Sequence, residues 1–257
     1  MQTYQLLGVK FQALTMTEAL DLMESYLQEE RPHLVVTVGP EMIMRAQEDE
    51  AFKRLINGAD LVVPDGTGVL WAAARCGIEV PERIAGVELI EKFAARLAER
   101  GSEGLYLLGS APGVAEKAGE KLQALYPGLR IAGVHDGYFK EEEPIVAAIR
   151  ESGARVLYVA LGAGKQESFV ERQGERAGIR VGVGVGGSFD VISGLKKRAP
   201  QIFIKLHLEW LYRALGEPSR WRRLLAIPRF MALVWSKGKG AVSLWRPEEN
   251  MVEANTD

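Results

Sequence analysis

The chain has 257 residues, of which 47% are hydrophobic and 26% charged, and its formal net charge is −2. These values are typical of a soluble globular protein, and the length suffices for one large α/β domain or one domain with an appendage. The single cysteine excludes an internal disulfide framework. The first residues lack the pattern of a secretory signal, and no apolar run approaches the ~20 residues of a membrane span. We therefore expect a cytoplasmic protein.

The charges are distributed unevenly along the sequence. From Leu195 to Arg246 there are twelve basic and two acidic residues, whereas residues 1–194 contain 20 basic and 28 acidic residues. An acidic body followed by a cationic C-terminal region predicts an anionic partner at that end of the molecule. We expect no nucleic acid, because the body is acidic and the basic region lacks an interleaved reading motif.

Short apolar segments alternate with segments of helical periodicity through the first 190 residues. A capping box, with Thr15 or Thr17 as the cap and Glu18 reaching back, begins the first helix. Most apolar segments are continuous runs, typical of strands buried on both faces. The alternation predicts an α/β fold, a Rossmann-like, largely parallel sheet flanked by helices. The predicted strands span 33–39, 59–64, 104–109, 129–134, 155–162 and 179–187, and the predicted helices span 17–30, 40–48, 68–77, 87–100, 113–126, 141–152 and 165–177.

Beyond Gly194 the sequence predicts no further strand. Two helical segments follow, 200–215 and 219–235, so we divide the chain into an α/β domain, residues 1–194, and a helical, basic appendage, residues 195–257. Four of the five tryptophans lie in the appendage. They are interpreted either as core aromatics of two packed helices or as anchors at a lipid headgroup interface. Deletion of the appendage is expected to leave a soluble body.

Glycines follow most of the predicted strands. Ligands of parallel sheets bind at the carboxyl ends of the strands, where glycine lets the backbone approach a ligand closely and helix N-termini favour phosphate. These positions are therefore candidates for a binding site. The candidate glycines are Gly66, Gly68, Gly109, Gly162, Gly186 and Gly187.

The segment LVVPDGTG, Leu61 to Gly68, ends a buried strand on a carboxylate. In one interpretation Asp65 belongs to an ordinary turn, because Pro-Asp-Gly is common turn chemistry. In the other, the strand end holds Asp65 as a general base, a group that contributes ~10²–10⁴ in rate when well placed.

Other kinds of site are disfavoured by residue spacing. The segment GTGVLWA lacks the third glycine of a dinucleotide fingerprint, and GAGKQE lacks the spacing and the Ser/Thr of a Walker loop. A nucleotide-dependent oxidoreductase is therefore the weaker alternative. No Asp-x-Asp occurs, and His33, His135 and His207 are far apart, so we expect no metal site.

Eight segments, in order along nearly the whole chain, resemble one known family, the WecG/TagA/CpsF family of bacterial glycosyltransferases. The segments are VVTVGPEMIMRAQED (35–49), PDGTGVLWAAARCG (64–77), ERIAGVELIEKF (82–93), LYLLGSAPGVAEKA (105–118), HDGYF (135–139), VALGAGKQESF (159–169), GVGGSFDVISGLKKRAP (184–200) and LEWLYRALGEPSRWRRLLAIPRF (208–230).

The resemblance implies an inverting, metal-independent enzyme without cofactors. Such an enzyme transfers N-acetylmannosamine from its UDP-sugar to the 4-hydroxyl of N-acetylglucosamine on undecaprenyl diphosphate. The product would be the linkage unit of wall teichoic acid or of a related surface polymer. The implied partners are the UDP-sugar donor, the lipid-linked acceptor and an anionic membrane surface, with the enzyme bound peripherally at the cytoplasmic face. A homo-oligomer is compatible with the resemblance.

The resemblance also assigns roles to residues of this sequence. Asp65 would deprotonate the acceptor hydroxyl, and the appendage would close over the site at the membrane, where its arginines would hold the diphosphate leaving group. The remaining substrate-binding residues would line the same pocket as the candidate glycines. The resemblance implies Thr37, Arg83 and Gln166 in the body. Their position after the predicted strand 155–162 adds Lys165 and Glu167, and the candidates in the appendage are Arg213, Arg220 and Arg223.

The sequence departs from the family pattern at three positions. Gly39 stands where Asn is usual, Gly164 where Pro is usual and Glu88 where Asp is usual. These differences concern the donor more than the type of reaction, so UDP-N-acetylmannosaminuronate and UDP-glucose stay open as alternative donors.

Overall fold

The structure of the protein, a computed structural model, describes residues 1–196, Phe203 and residues 226–246. The strands are β1 (Gln2–Leu6), β2 (Val9–Ala13), β3 (His33–Val38), β4 (Leu61–Pro64), β5 (Gly104–Gly109), β6 (Arg130–His135), β7 (Ala154–Ala160), β8 (Val181–Gly184) and β9 (Val242–Leu244). The helices are α1 (Met16–Tyr26), α2 (Pro40–Glu48), α3 (Glu50–Gly58), α4 (Thr67–Arg75), α5 (Gly86–Arg100), α6 (Val114–Leu125), α7 (Glu143–Ser152), α8 (Lys165–Gln173), α9 (Ser188–Ile192) and α10 (Ala226–Lys237), followed by a 3₁₀ turn at Gly238–Ala241.

Six parallel strands form the main sheet, in the order β4-β3-β8-β7-β5-β6. Successive residues of one strand enter opposite cores: Val36 packs into the first core, on one face, and Val35 into the second core, on the other. Both valines are fully buried. Burial of both faces explains why these strands read as continuous apolar runs rather than alternating ones. The predicted α/β fold with a largely parallel, Rossmann-like sheet is confirmed.

Helices cover both faces of the main sheet, and the direction of each connection decides the face. Connections toward the β4 edge place α2, α3, α7 and α8 on one face, and those toward the β6 edge place α5 and α6 on the other. This separation is what right-handed crossovers require. Helices α4 and α10 join the first face, and α1 and α9 join the second.

The chain leaves two neighbouring strands, β5 and β7, in opposite directions. From β5 it passes through α6 to β6 at the edge, and from β7 it passes through α8 to β8 near the centre of the sheet. Divergent connections open a crevice beyond the carboxyl ends of the two strands, which is where open α/β sheets bind ligands. The fold therefore places a crevice next to Gly109 and Ala160, which end these strands.

A second sheet of three antiparallel strands, in the order β2-β1-β9, was not expected from the sequence. Its hairpin turn consists of Leu7 and Gly8, both with positive φ (52° and 79°). Two positive φ values are typical of a type I′ turn, for which Asn-Gly is the usual signal. Leucine is rare in this conformation, so the sequence did not predict the turn.

The small sheet also closes one edge of the main sheet. The side-chain amide of Gln12, in β2, accepts a hydrogen bond from the Val62 backbone N–H (2.7 Å) and donates to the Asp60 carbonyl oxygen (3.3 Å). Gln12 is buried, and its amide pairs with backbone groups of Asp60 and Val62 at the start of the edge strand β4. The Gln12 side chain thus covers the edge of β4 that does not pair with β3.

The expectation that strands cease after Gly194 is wrong. Strand β9 pairs with β1, and Phe230 and Val234 of α10 are fully buried in the first core. Deletion of residues 195–257 would expose that core, so the body is not expected to stay soluble without them. The helical segment 200–215 and the division of the chain at residue 194 stay predictions, because residues 197–202 and 204–225 lie outside the described residues.

Two helices were missed or doubted in the sequence. Asp49 has an extended backbone between α2 and α3, and its carboxylate accepts from the Phe52 N–H (2.9 Å), so it caps a separate helix. The glycine-rich segment after β8 leads into the short helix α9, where no clear helix start was expected.

Replacement of Gly109 by Ala is expected to lower the free energy of unfolding by at least about 2 kcal/mol. Gly109 has a φ of 122°, and an added Cβ would lie 2.5 Å from the Ala160 carbonyl oxygen and 2.6 Å from its carbonyl carbon. These are backbone atoms of the neighbouring strand and cannot rotate aside. Gly58→Ala is the control, because nothing lies within 4 Å of a Cβ there. Equal midpoints of the two variants in denaturant unfolding would contradict this steric role of Gly109.

Candidate active site

Asp65 stands at the carboxyl end of β4, where the chain reverses into α4. Its backbone N–H donates to the Val38 carbonyl oxygen (2.9 Å), which extends the pairing with β3 by one residue. Gly66 follows with a φ of 85°, a conformation that glycine adopts without strain, and α4 begins at Thr67. The turn interpretation of Pro-Asp-Gly is therefore correct locally, and it leaves open what the carboxylate does.

The Asp65 carboxylate lies beside Thr37 and the first residue of α5. Its Oδ2 accepts a hydrogen bond from the Gly86 backbone N–H (3.2 Å). A Cβ on Gly86 would lie 3.0 Å from Thr37 Oγ1 and 3.5 Å from Asp65 Oδ2, so a larger residue there would intrude between the two side chains. Thr37 and Asp65 are both partly buried. We name the group of Thr37, Asp65 and Gly86 the aspartate cluster.

Arg83 lies on the loop that carries the chain from α4 to Gly86. The neighbouring Glu82 accepts a hydrogen bond from the Met16 backbone N–H (2.7 Å) at the start of α1, which ties this loop to the body. Arg83 is partly buried and precedes Gly86 by three residues. The structure thus places Arg83 in the same loop as one member of the aspartate cluster.

A cleft of about 1140 Å³ opens beyond the carboxyl ends of β5, β6, β7 and β8. It occupies the crevice between β5 and β7, and its volume slightly exceeds the ~300–1,000 Å³ of typical ligand sites. Thr37 and Asp65 do not line it; they lie on β3 and after β4, and β3 is the neighbour of β8. Of the predicted residues, the cleft is lined by Lys165, Gly186 and Gly187.

Ser110 lines the cleft and has a strained backbone. Its φ is 62°, its N–H donates to the Ala160 carbonyl oxygen (3.0 Å), and its carbonyl accepts from the Gly137 N–H (2.9 Å). A left-handed conformation costs a residue other than glycine about 1 kcal/mol or more and persists where surrounding contacts impose it, often at functional sites. These two hydrogen bonds join the ends of β5, β6 and β7 at the cleft.

Two arginines that were not identified from the sequence line the cleft and have carboxylate partners. Arg172 donates to the Glu142 carboxylate through both terminal nitrogens (3.0 and 2.7 Å), and these bonds lower the pKa of Glu142. Arg45 donates to the Ala163 carbonyl oxygen (2.6 Å) and pairs with Asp49 (3.1 Å). Neither arginine was given a role in the site from the sequence, because both lie within segments predicted as ordinary helices, 40–48 and 165–177.

Lys165, at the start of α8, and Tyr138, in the loop after β6, both line the cleft. Lys165 is the first residue of α8 and, within the described ranges, has no carboxylate in ion-pair distance. Tyr138 is 77% exposed, and its backbone N–H donates to Asp136 Oδ1 (2.7 Å), which fixes the loop after β6. Together they offer a cationic group and an aromatic face to a ligand.

Gln166 and Glu167 are buried behind the cleft rather than exposed in it. Gln166 donates to Glu167 Oε1 (2.8 Å), and the Gly164 N–H donates to Glu167 Oε2 (2.6 Å). Burial raises the pKa of the Glu167 carboxyl, and these hydrogen bonds oppose the rise. The predicted contact of both side chains with substrate stays a prediction, but the surface they offer to a ligand is small.

The remaining candidate glycines differ in what requires them. A Cβ on Gly68 would lie 2.6 Å from Pro40 Cγ and 3.7 Å from Phe230 Cε1, so packing against α2 and α10 accounts for this glycine. Gly162 has a φ of 85° and open space around it. Their contact with substrate stays a prediction.

Further predictions concern residues outside the described ranges or expected absences. Arg213, Arg220 and Arg223 lie outside the described residues. In the part of the chain that the structure describes, no three His, Cys, Asp or Glu side chains are grouped as metal ligands would be. Over the same part, no helix combines the length and apolar character that crossing a membrane requires.

Comparison with known proteins connects these features to a family. Residues 4–242 match the family model described as the Glycosyl transferase WecG/TagA/CpsF family. Three relatives named N-acetylglucosaminyldiphosphoundecaprenol N-acetyl-beta-D-mannosaminyltransferase are similar to this chain. That of Bacillus spizizenii is 35% identical (91% of both chains), that of Bacillus subtilis 30% identical (97% of this chain, 98% of the relative), and that of Staphylococcus aureus MRSA252 36% identical (88% of this chain, 89% of the relative). The chain belongs to the WecG/TagA/CpsF family of glycosyl transferases.

Proposed function

We propose that this glycosyltransferase moves N-acetylmannosamine from UDP-N-acetylmannosamine to the 4-hydroxyl of N-acetylglucosamine on undecaprenyl diphosphate, with inversion and without a metal. The names of its relatives support this donor sugar and acceptor. The product belongs to wall teichoic acid or a related surface polymer. The observation that carries the proposal is the aspartate cluster, in which a carboxylate is held at the carboxyl end of β4, on the same side of the main sheet as the strand ends that border the cleft.

Asp65 is the general base of the proposed reaction. Its carboxylate takes the proton of the acceptor 4-hydroxyl while that oxygen attacks the anomeric carbon of the donor. The bond from the anomeric carbon to the β-phosphate oxygen breaks, and its electron pair leaves with UDP. A single displacement of this kind inverts the anomeric centre. The hydrogen bond from Gly86 orients the carboxylate, and Thr37 borders the space in which the hydroxyl would lie.

The UDP portion of the donor is assigned to the cleft. Lys165 at the start of α8 would lie near the negative charge of the diphosphate, and Tyr138 offers a face on which a base would stack. Because β8 adjoins β3, a donor that extends past Gly186 would bring its sugar toward Thr37. Arg213, Arg220 and Arg223 of the appendage would add bidentate contacts to the leaving diphosphate.

The acceptor places the reaction at a membrane. A polyprenyl chain stays in the bilayer, so the enzyme must bind peripherally at the cytoplasmic face to reach the sugar. The exposed Trp235, with the Arg75 guanidinium 3.9 Å above its ring, supports the interfacial interpretation over the core one for this tryptophan.

The donor sugar is the least constrained part of the proposal. Position 39 adjoins the aspartate cluster, because a Cβ on Gly39 would lie 3.5 Å from the Asp65 carbonyl oxygen. Glycine leaves space there that the usual Asn would fill. A donor with a larger or charged substituent, such as UDP-N-acetylmannosaminuronate, is therefore the second candidate.

Substitution of Asp65 by Asn or Ala is expected to lower kcat by ~10²–10⁴-fold, because neither side chain accepts the hydroxyl proton. The assay is transfer from UDP-N-acetylmannosamine to a short-chain lipid diphosphate N-acetylglucosamine. Asp21→Asn is the matched control, since Asp21 is exposed on α1 and pairs with Arg96. Full activity of Asp65→Asn would end the general-base assignment.

A panel of UDP-sugars with one lipid acceptor is expected to give the highest kcat/KM with UDP-N-acetylmannosamine. The rate should be unchanged by EDTA, because cationic side chains take the place of a metal at the diphosphate. Preference for UDP-N-acetylmannosaminuronate or UDP-glucose would correct the donor. Loss of activity in EDTA with recovery on addition of Mg²⁺ would overturn the metal-independent mechanism.

The protein is expected to sediment with vesicles that contain anionic lipid and to remain in solution with neutral ones. Each basic residue near an anionic surface contributes about 1 kcal/mol of attraction, so added salt should release the protein. Equal binding to both vesicle types, or binding to neither, would contradict electrostatic attachment of the appendage.

A further inference from the structure

Three hydrogen bonds form a chain at the cleft, two of them within residues 164–167 at the start of α8 and the third between α8 and the loop after β8. The Gly164 N–H donates to Glu167 Oε2 (2.6 Å), the Gln166 side-chain amide donates to Glu167 Oε1 (2.8 Å), and the Gly186 N–H donates to Gln166 Oε1 (3.1 Å). We name this chain of bonds the Gln166–Glu167 relay. It runs from the loop after β7 to the loop after β8.

Both side chains of the relay are withdrawn from solvent. Glu167 is 0% exposed and Gln166 is 4% exposed, and each of their terminal side-chain atoms takes part in a relay bond. Burial raises the pKa of Glu167, and the hydrogen bonds from Gln166 and Gly164 and the charge of Arg45 oppose the rise. Burying an acid is unfavourable, and stability alone gives a weak reason to keep one.

Strand β8 is built around the relay. A Cβ on Gly184 would lie 2.6 Å from Gln166 Nε2 and 2.9 Å from Glu167 Oε1. A side chain at this position would displace both residues. The glycine within a buried strand therefore provides the space in which the two side chains meet.

The loops that the relay joins carry the cleft residues. Lys165 lies between Gly164 and Gln166, and Gly187 follows Gly186; all but Gln166 line the cleft. A shift of either loop would move Lys165 relative to Gly187 and so change the position of a bound donor.

We propose that Gln166 and Glu167 are positioning residues of the transfer reaction, acting on the donor through the two loops rather than by contact with it. This inference rests on the proposed function. It differs from the substrate-contact role expected for these residues from the sequence.

The polarity of the relay gives a sharp test. In Glu167→Gln, the new amide NH₂ cannot accept a hydrogen bond, so at least one of the three bonds is lost with two N–H donors facing each other. In Gln166→Glu, the carboxylates at 166 and 167 face each other. In the double variant Gln166→Glu/Glu167→Gln, the amide at 167 accepts from Gly164 and donates to the carboxylate at 166, which accepts from Gly186. All three bonds are restored with the acid and the amide exchanged.

Each single substitution is expected to lower kcat/KM by ~10–100-fold, and the exchanged double variant to recover at least ~10-fold of that loss. The loss in Gln166→Glu should shrink as the pH falls, because two adjacent carboxylates share a proton. Gln12→Glu is the matched control, because Gln12 is also a buried amide but binds backbone groups at the start of β4, away from Asp65 and the cleft. This change should lower the melting temperature and leave kcat and KM of the folded protein unchanged.

Hydrogen exchange at the Gly164 and Gly186 amides provides a readout that does not depend on activity. Exchange should accelerate in both single variants and slow again in the double variant. A double variant as inactive as the singles, with exchange restored, would overturn positioning in favour of direct substrate contact. Unchanged exchange in the single variants would overturn the relay itself. Absence of transfer by the wild-type protein would contradict the proposed function alone, and the exchange rates would still decide on the relay.

Discussion

Burial of the main sheet on both faces is the constraint on which the rest of the structure depends. Strands such as β3 and β7 place apolar side chains into both cores, so most of their length cannot contact a ligand in solvent. The polar groups of the candidate site lie instead beyond the carboxyl ends, where helices begin and glycines turn the chain. Asp65, Ser110, Lys165 and Gly186 all follow strands of this sheet, although they are widely separated in sequence.

The main sheet and much of the site could be predicted because their signals are local. The apolar runs identified its six strands, and the Thr15–Glu18 capping box marked the start of α1 where the structure has it. Asp65 was identified because it follows a buried strand directly. These features depend on a few adjacent residues and on general rules of parallel sheets.

The features that could not be predicted from the sequence depend on tertiary contacts. Strand β9 is only three residues long and exists because β1 pairs with it. Arg45 lines the cleft because α2 packs next to the loop after β7, where Ala163 accepts its hydrogen bond. The role of Gly86 follows from its position between Thr37 and Asp65, and no pattern around it in the sequence identifies that position.

The pairing of β1 with β9 has a consequence for how the protein is made. Strand β1 ends at Leu6 and β9 begins at Val242, so a ribosome completes the first strand long before it reaches the second. A two-stranded hairpin is at best marginally stable alone, and contacts between distant residues form slowly. The hairpin of β1 and β2 therefore lacks its third strand until residues 242–244 have been synthesised, and before that the first core also lacks Phe230 and Val234 of α10.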